Sequence, residues 1–262
     1  MYQPIRIKTL ACTLAATLLA GCASTPPVKG SDPSDPYENT NRKIYNFNDT
    51  IDRKVFTPVA RGYVQVTPDP VRAGVTKFFD NVGYLNVITN DFLQGKVTQG
   101  ASDTGRFLVN STVGVGGLFD PATKIGMPAH DEDLGQTFGI WGMGEGAYLM
   151  VPFLGPSSYR DLPDAATSIA LNPMTWLGGV GGIITWPLGA LHAVNARANM
   201  LAASNIRDQA AVDPYTFVRE AYRQQRQYKI YDGNPPMDEN EVNGDSGDHH
   251  PPAAGAEILK VY

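Results

Sequence analysis

Usable cysteine is nearly missing from this chain of 262 residues. It has only Cys12 and Cys22, and both lie in the first 22 positions. No disulfide framework or thiolate metal site can be built in the body of such a protein. Basic excess is missing too, since 21 Lys and Arg face 26 Asp and Glu. That balance argues against a nucleic-acid binder, which needs a positive surface. Between residues 165 and 196 there is no Asp, Glu, Lys or Arg at all. Enzyme signatures are weak as well. No G-x-S-x-G nucleophile elbow occurs, and "GVGG" lacks the Lys-Ser/Thr of a phosphate-binding loop. His130 beside Asp131, Glu132 and Asp133 could suggest metal or acid–base chemistry. An acidic helix N-terminus explains the same run through the helix dipole. No catalytic residue, metal ligand or cofactor is assigned.

What is present begins with a targeting segment. Arg6 and Lys8 precede the apolar run 10–20, which ends in "LAGC". A positive start, a short apolar core and small residues before a cut describe a secretory signal of residues 1–21. The ending resembles a bacterial lipobox, with cleavage before Cys22 and lipid carried on its thiol. A plain signal with a chance cysteine is the alternative. Ala23 and Ser24 follow in place of an aspartate, so outer-membrane sorting is expected. Without Arg6 and Lys8 the chain carries 19 basic against 26 acidic residues, a net of −7.

Glycine and proline are abundant, at 27 and 20 residues, well above the average of about 12%. Residues 22–34 read as a flexible tether and 232–262 as an acidic, disordered tail. The body, 35–231, reads as one mainly α domain with little or no β structure. Asp35-Pro36 and Glu38 predict a capped start for the first helix. Along it Tyr37, Asn41, Ile44, Asn48, Ile51 and Val55 share one face, which places two asparagines on an otherwise apolar stripe. Asp69-Pro70 and Asp213-Pro214 predict starts for helices over 71–82 and 215–231, and Asp120-Pro121 opens a short turn. Further helices are expected over 85–93, 99–113 and 133–141. "YLMVPFLG" (148–155) is the best candidate for extended structure, with Pro152 excluding a central strand.

The apolar stretch "LNPMTWLGGVGGIITWPLGALHAV" (171–194) invites a transmembrane reading and is badly built for one. Asn172-Pro173 ends a helix, "GGVGG" costs roughly 1 kcal/mol per glycine relative to alanine, and Pro187 interrupts the next segment. An arm such as 165–172 is ~12 Å as a helix, about one leaflet of a ~30 Å hydrocarbon core. Two placements remain: a one-leaflet wedge, or a buried hairpin of a soluble domain. The lipid on Cys22 favours the wedge, with Trp176 and Trp186 at the membrane interface.

Five stretches carry a resemblance to a known family: "DPYENTNRKIYNFN" (35–48), "NDFLQGK" (90–96), "RFLVNSTVGVGGLFDPA" (106–122), "LGQTFGIWGMGEGAYLMVPFLGPSSYRD" (134–161) and "DPYTFVREAYRQQR" (213–226). In order and across nearly the whole body they resemble the VacJ/MlaA outer-membrane lipoproteins. The resemblance implies a non-enzymatic, ring- or disc-like helical body with amphipathic in-plane helices, held at the periplasmic face of the outer membrane beside a trimeric porin. It implies transport of mislocalised glycerophospholipids from the outer leaflet through an amphipathic channel to a soluble periplasmic carrier, preserving lipid asymmetry. A structural lipoprotein that only scaffolds porins is the alternative, and a lipid hydrolase the third.

On that resemblance Gly139, Gly142, Gly144 and Gly146 form a candidate gating loop, against an ordinary tight loop. Asn41, Asn46, Phe47 and Asn48 are candidates for lining the channel or packing the ring. Arg219, Arg223 and Arg226, at i, i+4 and i+7, are either a solvated face or a surface for phosphate headgroups or an acidic carrier.

Overall fold

The computed structural model describes residues 32–177 and 182–236. The signal, Cys22, the tether up to residue 31, the glycine run 178–181 and the tail from 237 lie outside the described residues. The body is mainly helical with one short hairpin, as the sequence indicates.

Helix α1 (Glu38–Ile51) continues through a π-helical turn (Asp52–Phe56) into α2 (Thr57–Val66). Its start corrects one sequence expectation. No side chain caps it, because the Asp35 carboxylate is engaged elsewhere, by Asn41 and Arg219. Thr67 is extended (ψ 118°), as a residue before proline must be. Helix α3 (Asp69–Leu93) then runs unbroken for 25 residues where the sequence suggested two helices. Gly83 lies within it with open space beside its Cα. One helical glycine costs about 1 kcal/mol relative to alanine, and packing along the next helix, Val97–Thr112, outweighs that.

Gly95 (φ +77°) turns the chain into α4 (Val97–Thr112). The turn after α4 is left-handed at Val115, Gly116 and Gly117. A Cβ at Gly117 would lie 2.4 Å from that of Asn81, so only glycine fits there. Asp120 caps the short α5 (Pro121–Lys124) by accepting the Thr123 N–H, and Asp133 caps α6 (Leu134–Ile140) by accepting that of Gln136. These two starts agree with the sequence reading.

Strands β1 (Tyr148–Val151) and β2 (Gly155–Ser158) pair antiparallel, with Tyr148 opposite Ser158 and Val151 opposite Gly155. Pro152 falls in the turn, where it removes no ladder bond. Helices α7 (Asp164–Leu171), α8 (Pro173–Leu177), α9 (Gly182–Asn199), α10 (Leu201–Ala210) and α11 (Pro214–Ile230) complete the body, α11 being capped by Asp213. Asn172 is extended before Pro173 and separates α7 from α8 as expected. Pro187 does not interrupt its segment: α9 runs through it. Even so, 18 residues make only ~27 Å of helix. No helix among the described residues is long and apolar enough to cross a membrane.

The apolar core is small and aromatic. Tyr45 on α1, Tyr148 and Met150 on β1 and Tyr215 on α11 are buried together, with Tyr222 against them. Edge-to-face contacts join Tyr45 to Tyr215 (5.8 Å) and Tyr148 to Tyr222 (5.9 Å), the offset that aromatic quadrupoles favour. The packed body reaches slightly past 35–231: the Ser34 carbonyl accepts the Tyr148 N–H, and Asp232 pairs with Lys96 at 2.5 Å.

Candidate functional site

The interior of this protein is polar to an unusual degree. Eighteen polar or charged side chains are buried among the described residues, against ten apolar ones. Globular interiors usually show the reverse. Each sequence-selected residue finds its place against that distribution.

Asn41 and Asn48 both turn their amides onto the hairpin. Asn41 donates to the Tyr148 carbonyl and accepts the Met150 N–H, at 3.0 and 2.9 Å. One turn further along the stripe, Asn48 donates to the Val151 carbonyl and accepts the Phe153 N–H. The two amides therefore staple α1 to the outer edge of β1, which β2 leaves unpaired. This accounts for polar residues on an apolar face. Phe47 packs edge-to-face on Phe153 at 5.3 Å, and Asn46 is exposed.

The arginines of α11 are likewise not a solvated face. Arg219 and Arg226 are buried at 9% and 8% exposure. Arg219 pairs with Asp35, Asp32 and Glu220. Tyr215 also donates its hydroxyl to Asp35. Arg226 reaches Asp133 at 2.5 and 2.8 Å and Asp161 at 3.1 Å. Burial pushes the Asp133 carboxyl up, but Arg226 and Gln136 outweigh it and hold the group far below the usual carboxylate range. Arg223 is half-buried and donates to Ser34 Oγ at 2.7 Å, with Glu145 3.6 Å away. So the triplet ties α11 to the chain before α1, to the start of α6 and to the glycine-rich loop. Of the three, Arg223 is the most exposed.

A second buried set escaped the sequence reading. Asp103, Arg106 and Asn110 follow one another at i, i+3 and i+7 on α4 and are all buried. Arg106 and Asn110 hold Asp120. Asp103 holds Tyr84 and His130, and it lies in contact with the buried Asp91. Burial and the Asp103 contact push the Asp91 carboxyl up to about 7 against the opposing Gln99 bond. The spacing was the available signal: a polar stripe at helical period within an otherwise mixed helix.

The four glycines divide by role. Gly139 lies inside α6, where a Cβ would crowd Ile230 at 3.1 Å. Gly142 (φ +90°) and Gly146 (φ +72°) sit in left-handed backbone, and Gly144 has open space around it. The loop between α6 and β1 carries exposed Trp141 and Met143. Its contacts include a Trp141 Nε1 bond to the Leu93 carbonyl and the Glu145–Arg223 approach.

Large apolar side chains stand on the outer surface. Trp176 is 75% and Trp186 80% exposed. Phe119, Phe153, Leu154 and Ile169 also face outward. Trp176 folds its indole N–H onto the Ala170 carbonyl at 2.8 Å, satisfying that donor without water.

A family model described as MlaA lipoprotein matches residues 33–229. The intermembrane phospholipid transport system lipoprotein MlaA of Escherichia coli (strain K12) is 33% identical over 247 residues, spanning 90% of this chain and 94% of that protein. Its namesake in Haemophilus influenzae is 31% identical over 236 residues, 87% and 93% of the two chains. A solved structure described under "Structural basis for maintenance of bacterial outer membrane lipid asymmetry" aligns with a TM-score of 0.64 at 29% identity. It covers 77% of this chain and 100% of that one.

Proposed function

The chain belongs to the MlaA lipoprotein family, and from that premise we propose that it removes mislocalised glycerophospholipids from the outer leaflet of the outer membrane. It is a lipoprotein of the kind that serves intermembrane phospholipid transport. Lipid on Cys22 anchors it at the periplasmic face, and the ring- or disc-like body lies in the inner leaflet beside a trimeric porin. The extracted phospholipid passes through an amphipathic path to a soluble periplasmic carrier.

The observation that carries this reading is the inverted distribution of side chains. Trp176 and Trp186 are exposed, while Asp35, Asp91, Asp103, Arg106, Arg219 and Arg226 are buried. Large exposed apolar patches mark interaction or membrane surfaces, and tryptophan favours the membrane–water boundary. Helices too short to span suit a body seated in one leaflet. A phospholipid moving down its free-energy gradient needs a path for its headgroup and no covalent step, so the proposal includes no catalytic residue.

The loop between α6 and β1 acts as the gate in this reading. Gly142 and Gly146 hold backbone angles that other residues adopt with strain, and Gly144 adds no bulk. Trp141 and Met143 give it an apolar face toward acyl chains.

The test is the phospholipid content of the outer leaflet in cells lacking the protein. A rise that the intact gene reverses supports transport. A normal level under conditions where the protein is made overturns it and leaves the porin scaffold.

A further inference from the structure

A cleft of about 190 Å³ opens where the π-helical turn, the end of α9 and α10 meet. The turn sets its geometry. In a π-helix the bond runs from i to i+5, as the Thr57 N–H to the Asp52 carbonyl does here. The extra residue aligns Asp52, Thr57 and Arg61 along one wall. Ser204 and Asn205 of α10 supply neutral polar groups on the other.

Four arginines line this cleft. Arg197 lies across the Asp52 carboxylate with contacts of 2.5 and 2.8 Å. Its remaining nitrogen, Nη1, is buried without a hydrogen-bond partner. Arg53 bridges Asp49 and Asp208, each at 2.8 Å. Arg207 holds the same two aspartates. Three carboxylates thus serve three arginines. Arg61 is exposed and, among the described residues, carries no hydrogen bond or ion pair. The cleft has one guanidinium more than its carboxylates neutralise.

We propose that this cleft is a binding site for a phosphate ester, with Arg61 as the direct contact. A guanidinium presents a planar fork matched to phosphate oxygens and cannot lose its proton. Ser204 and Asn205 complete the shell with neutral donors. The paired Arg53, Arg197 and Arg207 hold the walls, and the excess positive charge is that of Arg61. The Asp–Arg lattice fixes these walls before any ligand arrives, so little ordering cost falls on binding. The same elements expose Val55, Val59 and Ile206, which suits a phosphate carried on an amphipathic molecule. As a phospholipid headgroup subsite the proposal rests on the transport reading; as a phosphate-ester site it stands without it.

The probes are glycerol 3-phosphate, for the soluble ester, and phosphatidylglycerol in detergent micelles, for the lipid. Binding to the purified lipoprotein is measured for the parent, Arg61→Gln, Arg61→Lys and, as a remote loss of charge, Lys77→Gln. Arg61 makes no described contact that folding would miss, so the variants should melt with the parent. Arg61→Gln is expected to weaken binding about tenfold, the scale of one charge-assisted hydrogen bond. Arg61→Lys should retain part of the affinity, and Lys77→Gln all of it. Weakening of both probes supports the site with lipid as its source. Weakening of glycerol 3-phosphate alone supports it with a soluble ester as its source. Absence of binding by the parent, or equal affinity in Arg61→Gln, overturns it. In cells, an outer leaflet that the parent protein fails to restore would remove the transport reading while leaving the measured affinity in place.

Discussion

Asn41 accepts the backbone N–H of Met150 at 2.9 Å across 109 residues of sequence. The same amide donates to the Tyr148 carbonyl, so one side chain satisfies two strand groups that no neighbouring strand reaches. Replacing it with alanine strands both, and each buried unsatisfied group costs about 1–3 kcal/mol. Asn41→Ala should lose about 2–6 kcal/mol, with thermal unfolding in detergent as the measurement. Asn46→Ala, at an exposed site, should leave the melting temperature within a degree or two, on the order of surface substitutions generally.

Arg226 is the counter-charge of Asp133 and shares Asp161 with Arg160. Arg226→Met should destabilise by about 3–5 kcal/mol, since an orphaned buried charge costs far more than an intact pair contributes. Adding Asp161→Asn to that variant should recover part of the loss, and a double-mutant cycle in denaturant reads the coupling.

The pH dependence of stability derives from Asp91 with a definite sign. Its carboxyl is raised to about 7 in the folded protein, against ~3.9 in an unfolded chain. The folded state therefore holds that proton where the unfolded state has lost it. Asp91 consequently lowers stability as pH climbs from ~4 to ~7. Lys96, Gln99, Asp103 and Glu132 lie in the same cluster, and His130 reaches it through Asp103. Asp91→Asn, which imitates the protonated acid, should flatten this part of the melting profile. Below pH ~4 the sign reverses. Asp133 and Asp213 are held below the usual carboxylate range by Arg226 and Arg42 and lose their contribution as they take up protons. An unchanged slope between pH ~4 and ~7 in Asp91→Asn would show that other groups set it.

Gly142 and Gly144 separate strain from bulk in the proposed gate. Gly142→Ala forces a side chain into left-handed backbone and should cost about 1 kcal/mol. Gly144→Ala meets open space and should leave the melting temperature unchanged. If the loop gates lipid passage, Gly144→Ala still slows removal of outer-leaflet phospholipid at full stability. Parent-level removal in that variant would make the loop an ordinary turn.

Trp176 and Trp186 provide a direct report of membrane depth. With one of them as the sole tryptophan in proteoliposomes, brominated acyl chains should quench emission strongly at either position. Emission like that of tryptophan in water, unaffected by brominated lipid, would place both in the periplasm instead.

Legibility in the sequence tracked the range of the interaction. The starts at Asp120-Pro121, Asp133 and Asp213-Pro214 were readable because the signal for a start lies within about three residues. The break at Asn172-Pro173 was readable because the clash is between neighbours. The unbroken α3 was not, because its continuity across Gly83 is supplied by packing against α4. The second strand, "GPSS", carries no strand propensity of its own and exists because Tyr148–Val151 offers it a partner.

The sequence by itself determined that this chain is mainly helical, that its apolar segment 171–194 is too broken to form one spanning helix, and which family it resembles. Those properties rest on local backbone preferences and on the order of short motifs. Only the tertiary structure decided where the charges went. The local pattern of Asn41, Asn48, Arg219 and Arg226 left the partners of their side chains open. Each meets a partner about 65 to 185 residues away along the chain. A buried polar group is stable only where such a partner meets it. The same rule left Arg61 exposed and unpaired in its cleft, since no carboxylate of the described fold reaches it.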